Sequence, residues 1–182
     1  MRVIAGTARS LRLKTPAGMD TRPTTDRIKE TLFNMLQQHI PDSVFMDLYS
    51  GSGGIGIEAL SRGAKHAYFI EKNKNAISCI TDNLKTTGFT DMSTVFKKDV
   101  LSALRDIREK EADIIFMDPP YDCGCEKEVL RILKDVPYVT ESTLIVIEAS
   151  LECDFSYLGQ LGFELIKEKR YKTNKHIFCH KI

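Results

Sequence analysis

The chain has 182 residues, 42% of them hydrophobic and 28% charged, and a formal net charge of +1. That length suits one domain with a short extension, and the composition is that of a soluble globular protein able to bury a core. No apolar run approaches the roughly 20 residues a membrane helix needs, and no secretory h-region follows Met1.

The five cysteines, Cys79, Cys123, Cys125, Cys153 and Cys179, are odd in number and lack CxxC spacing, so they indicate neither a disulfide framework nor a zinc site. A cytoplasmic protein without a metal is expected. The net charge hides an asymmetry. Residues 1–30 carry seven Lys/Arg against three Asp/Glu, and residues 165–182 carry six against one, whereas residues 31–164 hold 13 bases and 21 acids. Basic ends on an acidic body suit a localised polyanion surface; solvated termini would look the same.

In chain order, Val3–Ala5 and Leu11–Leu13 read as short strands around a Gly6–Ser10 turn. Thr24-Thr25-Asp26 then supplies N-cap chemistry for a helix with Ile28, Leu32, Met35 and Leu36 at helical spacing. From residue 44 strands alternate with helices. Strands are expected at Val44–Tyr49, Ala67–Glu71, Ser93–Phe96, Ile114–Met117 and Leu144–Ile147. Helices are expected at Ile55–Ser61, Asn73–Thr86, Val100–Arg108 and Glu126–Lys134. Strands near Phe163–Ile166 and His176–Cys179 would close the sheet as a hairpin. The alternation implies a mostly parallel seven-stranded α/β sheet covered on both faces, with a basic extension at 1–41 and the sheet domain at 42–182. Ligands in such sheets sit beyond the carboxyl ends of the strands.

The residues at those ends carry the chemistry. Gly51, Gly53 and Gly56 match GxGxxG, which lets backbone approach a ligand at a helix N-terminus; alone it is a weak signal. Glu71 ends the second strand, where a carboxylate can accept from ribose hydroxyls. Asp99, after the third strand, suits an adenine amine or the N-cap of the next helix. These features admit a nicotinamide dinucleotide or S-adenosylmethionine. The fourth strand separates them. It delivers Asp118-Pro119-Pro120-Tyr121 after four apolar residues. Two prolines remove two N–H donors, leaving the Asp118 carboxylate and the Pro119 carbonyl as acceptors. The exocyclic amine of a nucleic-acid base has two protons to donate to such a pair. Its lone pair is delocalised into the ring, and hydrogen bonds to both protons favour a pyramidal nitrogen with the lone pair directed outward. Tyr121 offers a flat face for an extruded base, worth roughly 1–3 kcal/mol. Hydride transfer has no use for this arrangement. Read alone, it does not choose among adenine, cytosine and guanine.

Glycine loop, ribose acid and Asp-Pro-Pro-Tyr, in this order on successive strands, resemble the class I amino-methyltransferases, whose fold is Rossmann-like. The segments Arg2–Arg9, Arg22–Asn34 and Glu58–Ala64 resemble the RsmD-type 16S rRNA guanine-N2 methyltransferases more closely, and the resemblance covers essentially the whole chain. It implies methyl transfer from S-adenosylmethionine to guanine N2 of 16S rRNA in a partly assembled small subunit, by a monomer, leaving S-adenosylhomocysteine. It places Asp47 and the loop residues Gly51, Ser52, Gly53 and Gly56 at the methionine end of the cofactor, Glu71 at the ribose, and Asp99 and Val100 at the adenine, with Tyr49 and Lys72 also binding the cofactor. Arg22 and Thr24 would line the same pocket. Asp118, Pro119, Pro120 and Tyr121 would grip the base. Arg2, Arg9, Arg12, Lys14, Arg27 and Lys29 would bind rRNA phosphates, with Lys169, Arg170, Lys172 and Lys175 a weaker second patch. Three departures stand out: Ser10 where the family usually has glycine, Gly54 where it usually has alanine, and no glycine after Tyr171. An N6-adenine methyltransferase uses the same chemistry, and a non-catalytic rRNA-binding assembly factor would keep the basic ends.

Overall fold

The computed structural model describes residues 1–16, 26–120 and 124–182. Its helices are α1 (Asp26–Leu36), α2 (Gly54–Ser61), α3 (Lys74–Thr87), α4 (Val100–Asp106) and α5 (Cys125–Asp135). Its strands are β1 (Val44–Leu48), β2 (His66–Ile70), β3 (Ser93–Phe96), β4 (Ile114–Met117), β5 (Leu144–Ser150), β6 (Phe163–Arg170) and β7 (Asn174–Lys181). They form one seven-stranded sheet in the order β3-β2-β1-β4-β5-β7-β6. β1 to β5 are parallel, and β7 and β6 close the edge antiparallel. The strand order reverses on either side of β1, so the switch point lies between β1 and β4, where open α/β sheets receive ligands.

Alternation along each strand divides the core in two. Met46, Leu48, Ile115, Met117, Ile145 and Ile147 face α4 and α5. Phe45, Phe69, Phe116, Val146 and Phe178 face α1, α2, α3 and the N-terminal segment. Both faces of the central strands are covered, which is why they read as unbroken apolar runs. Caps set the helix boundaries. Asn73, expected inside α3, instead caps it, accepting from Asn75 N and Ala76 N. Asp99 caps α4 by accepting from Leu101 N at 3.0 Å.

The N-terminal segment departs from expectation. The two segments expected as strands around Gly6–Ser10 do pair antiparallel, Val3 N donating to the Leu11 carbonyl and Leu13 N to the Met1 carbonyl at 3.0 Å each, but the pairing is short and amounts to a single bridge, between Arg2 and Arg12. The reason is where the intervening N–H groups go. Ile4 N and Ala5 N donate to the Glu58 carboxylate at 2.8 and 3.0 Å, Thr7 N to the Ser61 carbonyl, and Ala8 N to Ser61 Oγ. Backbone of Ile4–Ala8 committed to α2 cannot extend that pairing toward the turn. Gly6 permits this approach: its φ is +84°, and a Cβ there would lie 1.7 Å from the Ser61 carbonyl oxygen. The buried side chains Val3, Ala8 and Leu13 complete the contact with the core.

α1 is also rotated from the expected stripe. Its buried face is Lys29, Leu32, Phe33 and Leu36, not Ile28, Leu32, Met35 and Leu36. Cys125 is engaged in a disulfide, which the sequence spacing did not suggest. Among the described residues no helix is long and apolar enough to cross a membrane.

Candidate active site at the carboxyl ends of the strands

Four acids stand at the carboxyl ends of consecutive strands. Asp47, on β1, is buried and accepts from Gly56 N at 2.9 Å, which ties the strand to the first turn of α2. Burial, joined by the charge of Glu71 and opposed by the Gly56 N–H, pushes its carboxyl up to about 7. The loop between them turns through left-handed backbone at Tyr49 (φ 62°), Gly51 (φ 54°) and Gly53 (φ 79°). Glycine tolerates this; at Tyr49 it is strain stored beside the site. A Cβ at Gly51 would meet nothing within 4 Å, so this loop backbone is open to a ligand. Gly56 serves packing instead. A Cβ there would lie 2.4 Å from the Phe69 ring, so its absence lets α2 sit on β2. Ser50 braces the turn, donating from Oγ to the Asp47 carbonyl at 2.6 Å and accepting from Ile70 N at 2.9 Å.

Glu71, just past β2, accepts from Gly51 N at 2.9 Å and from Lys72 N and Asn73 N at 2.8 Å each. A carboxylate offers about four lone-pair directions, so Glu71 is fixed with one left toward solvent. Asp99 is exposed and lies 3.5 Å from Lys72 Nζ. Its cap role is observed, and Val100 behind it is buried. Asn83, buried on α3, accepts from Lys14 N and donates to the carbonyls of Lys14 and Ser52. One amide thus clamps the N-terminal segment to the glycine loop.

Asp118 follows β4, half-buried, with Pro119 buried and Pro120 exposed. Its carboxyl is held well above the usual carboxylate range, first by burial and then by the negative charges of Glu148 and Asp47. Tyr121, Arg22 and Thr24 lie outside the described residues. The sequence reading missed Glu148, which is buried on β5. The signal was present: like Asp118, it is an acid directly after four apolar strand residues. Its oxygens are held by Asn174 Nδ2 at 2.5 Å and His176 Nε2 at 3.1 Å, and His176 Nδ1 meets the Tyr171 hydroxyl at 3.1 Å.

The cationic residues divide. Arg9, Arg12 and Arg27 are exposed. Arg2 pairs with Asp26 at 2.9 Å and Lys14 with Asp82 at 2.7 Å, both at the surface. Lys29 is a correction. Its side chain is fully buried, 3.1 Å from Glu58 Oε2 and donating to the Arg2 carbonyl at 2.6 Å, so it cannot reach a phosphate. Burial lowers its ammonium from the usual lysine value, with Glu58 opposing. Lys175 is likewise buried, 3.6 Å from Glu168 and over the Phe155 ring, and drops out of the second patch. A separate cleft of about 480 Å³, lined by Glu111, Thr140, Glu141, Ser142 and Lys181, lies by the amino ends of β4 and β5, away from these acids.

The sheet order, the glycine loop after β1 and the acids at the strand ends define a Rossmann-like class I methyltransferase fold. The candidate methyltransferase yhhF of Escherichia coli superposes with a TM-score of 0.83 over 100% of this chain and 97% of its own, at 31% identity. The model of the family described as conserved hypothetical protein 95 matches residues 1–180, and the chain belongs to that family, the RsmD-type methyltransferases. The ribosomal RNA small subunit methyltransferase D of Escherichia coli (strain K12) is 35% identical over 152 residues, 84% of this chain and 76% of that protein. A candidate rRNA methyltransferase, YlbH of Bacillus subtilis (strain 168), is 39% identical over 156 residues, 85% of each.

Proposed function

We propose that this protein methylates the exocyclic N2 of a guanine in 16S rRNA, using S-adenosylmethionine and releasing S-adenosylhomocysteine. The observation that carries this reading is the acceptor-only segment Asp118-Pro119-Pro120 directly across the switch point from the glycine loop of β1. The names of the relatives support rRNA as the substrate. The site also suits the cofactor by charge: Asp47, Asp118 and Glu148 form an acidic patch, and among the described residues no cation is prominent among the groups acting on Asp118. The sulfonium cofactor, when bound, supplies an electrophilic methyl group already primed for displacement.

The chain's own residues do the rest. Asp47 and the Gly51–Gly56 backbone hold the cationic end, Glu71 offers its remaining lone pair to the ribose, and Asp99 with Val100 borders the adenine. Asp118 and the Pro119 carbonyl accept from the two N2 protons and aim the nitrogen lone pair, with Tyr121 as the stacking face. Positioning and exclusion of water supply most of the acceleration. The proton leaves N2 after methyl transfer, to Asp118 or to water. Arg9, Arg12 and Arg27, joined by Arg2 and Lys14, contact phosphates. The enzyme works as a cytoplasmic monomer on a partly assembled small subunit.

The test is incubation of small subunits, from cells lacking this protein, with purified enzyme and methyl-labelled cofactor. Digestion and mass spectrometry should find one new N2-methylguanosine in 16S rRNA. Label in N6-methyladenosine, or RNA binding without transfer, would overturn the assignment.

A further inference from the structure

We propose that Glu148, together with the side-chain carbonyl of Asn174, reads the N1–H edge of the target base and sets the enzyme's preference for guanine. This rests on the guanine-N2 reading above and names the residues that enforce it.

The placement follows from register. Met117 pairs with Ile147 across β4 and β5, so Asp118 and Glu148 are the next residues along adjacent parallel strands, about 4.8 Å apart in backbone spacing. Glu148 pairs in turn with His176 on β7. Period two puts Asp118 on the face of Phe116, Glu148 on that of Val146 and His176 on that of Phe178, and these three belong to one core cluster. Asp118, Glu148 and His176 therefore form a polar row on one face, at the end of the sheet where the base is placed.

The row is oriented internally. With His176 neutral, its Nε2–H donates to Glu148 and its Nδ1 accepts from the Tyr171 hydroxyl. Burial, aided by the charge of Glu148, pushes the Tyr171 phenol up to about 12, so it keeps its proton to donate. Asn174 must turn its NH2 toward Glu148, because the reverse would set a carbonyl against a carboxylate. That leaves Asn174 Oδ1 buried and without a partner among the described residues. Glu148 has accepted two hydrogen bonds and retains acceptor capacity for about two more. Beside Asp118 these side chains thus present spare acceptors on Glu148 and on Asn174 Oδ1, against one further N–H on Asn174 Nδ2.

The three candidate bases differ in what flanks their amine. In guanine, N2 is next to N1–H, a donor. In adenine, N6 is next to N1, an acceptor; in cytosine, N4 is next to N3, also an acceptor. A base whose amine faces Asp118 would give Glu148 a hydrogen bond only if it is guanine. Adenine or cytosine would set a lone pair against a buried carboxylate and leave its remaining acceptor capacity unmet, a difference on the order of 100-fold in rate.

The experiment uses small subunits reconstituted with 16S rRNA in which the mapped target guanosine is replaced by 2-aminopurine riboside. That base keeps the N2 amine and turns N1 into an acceptor. The wild-type enzyme should methylate it about 100-fold more slowly than guanosine. In Glu148→Gln the guanosine rate should fall, and the ratio of the two rates should move toward one, because the amide can donate to N1. Asn174→Leu, which retains the carboxylate, should narrow the ratio several-fold. Cofactor affinity and melting temperature are measured beside each variant. Equal loss on both substrates with the ratio unchanged means that the row merely ties β5 to β7, and overturns the assignment. If Glu148→Gln does not fold, an unchanged ratio in Asn174→Leu overturns it instead. Failure of the wild type to methylate guanosine at all strikes the guanine reading itself and is a separate result.

Discussion

Two buried acidic centres lie on the same side of this sheet and are treated in opposite ways. Glu58, in the middle of α2, is fully buried yet surrounded by positive charge and N–H donors: Lys29 at 3.1 Å, Arg62 at 2.8 Å, and the backbone of Ile4 and Ala5. Asp118 is pressed against other acids, Glu148 and Asp47, with burial adding to the penalty. The first arrangement closes on itself and locks the N-terminal segment to the fold. The second is incomplete without a cationic or proton-donating ligand. Compensated buried charge marks architecture here, and on the proposed function uncompensated charge marks where a ligand would enter.

The comparison breaks first at Asp118. Asp118→Asn should lower methylation by on the order of 1,000-fold or more, with cofactor affinity within a few-fold, and should leave stability unchanged or raised, since it removes a charge from an acidic patch. Single-turnover rates and thermal unfolding of the same sample check both halves. A fully active variant would sink the mechanism. Glu58→Ala should do the reverse. It strands Lys29 as a buried unpaired charge and costs roughly 3–5 kcal/mol, a melting-temperature drop of about 6 °C or more for a chain of this size. Activity per folded molecule should survive at temperatures where the variant is folded.

A third test concerns pH. Asp47 titrates near 7 when folded and near 3.8 when unfolded, so the folded state holds the extra proton between those values. Stability therefore falls as pH rises through that window and levels above about 7. Asp47→Asn should remove this contribution. A cationic ligand favours the ionised form, so affinity for S-adenosylmethionine should rise with pH toward 7, more steeply than affinity for the neutral S-adenosylhomocysteine. Calorimetry in two buffers should show proton release for the first that exceeds that for the second.

Smaller effects follow at the surface. Replacing Arg9 and Arg12 with alanine should reduce the slope of log affinity against log salt by roughly 1–2. An unchanged slope would mean that the segment is not a phosphate site. Ser10 is the family departure whose backbone sits at φ 70°. Ser10→Gly should relieve that left-handed strain, with a net gain of about 0.5 kcal/mol after the entropy of glycine, visible as a small rise in melting temperature.

Much of this was legible in the sequence because β1, β2, β4 and β5 are largely apolar runs with an acid at or near their carboxyl ends. Glu71 and Asp118 could be placed from that alone, Asp47 came through the family resemblance, and Glu148 carried the same mark. The N-terminal pairing was legible but its shortness was not, since Ile4 and Ala5 hydrogen-bond to Glu58, more than fifty positions away. Lys29 was misread because cationic residues were grouped by charge. Its spacing to Leu32, Phe33 and Leu36 is a helical face, and that periodicity outweighed its charge once Glu58 stood opposite. Asn174 and His176 could not be placed from spacing, because their partner Glu148 comes from another strand, β5.

Asn83 has a thermodynamic consequence. It holds Lys14 in the basic segment and the Ser52 carbonyl in the glycine loop through one amide. Ordering either end restricts the other, and linkage of this kind is reciprocal. On the proposed function, whatever tightening RNA brought to the loop an occupied loop would return in equal measure to the grip on RNA, so substrate and methyl donor are expected to bind cooperatively.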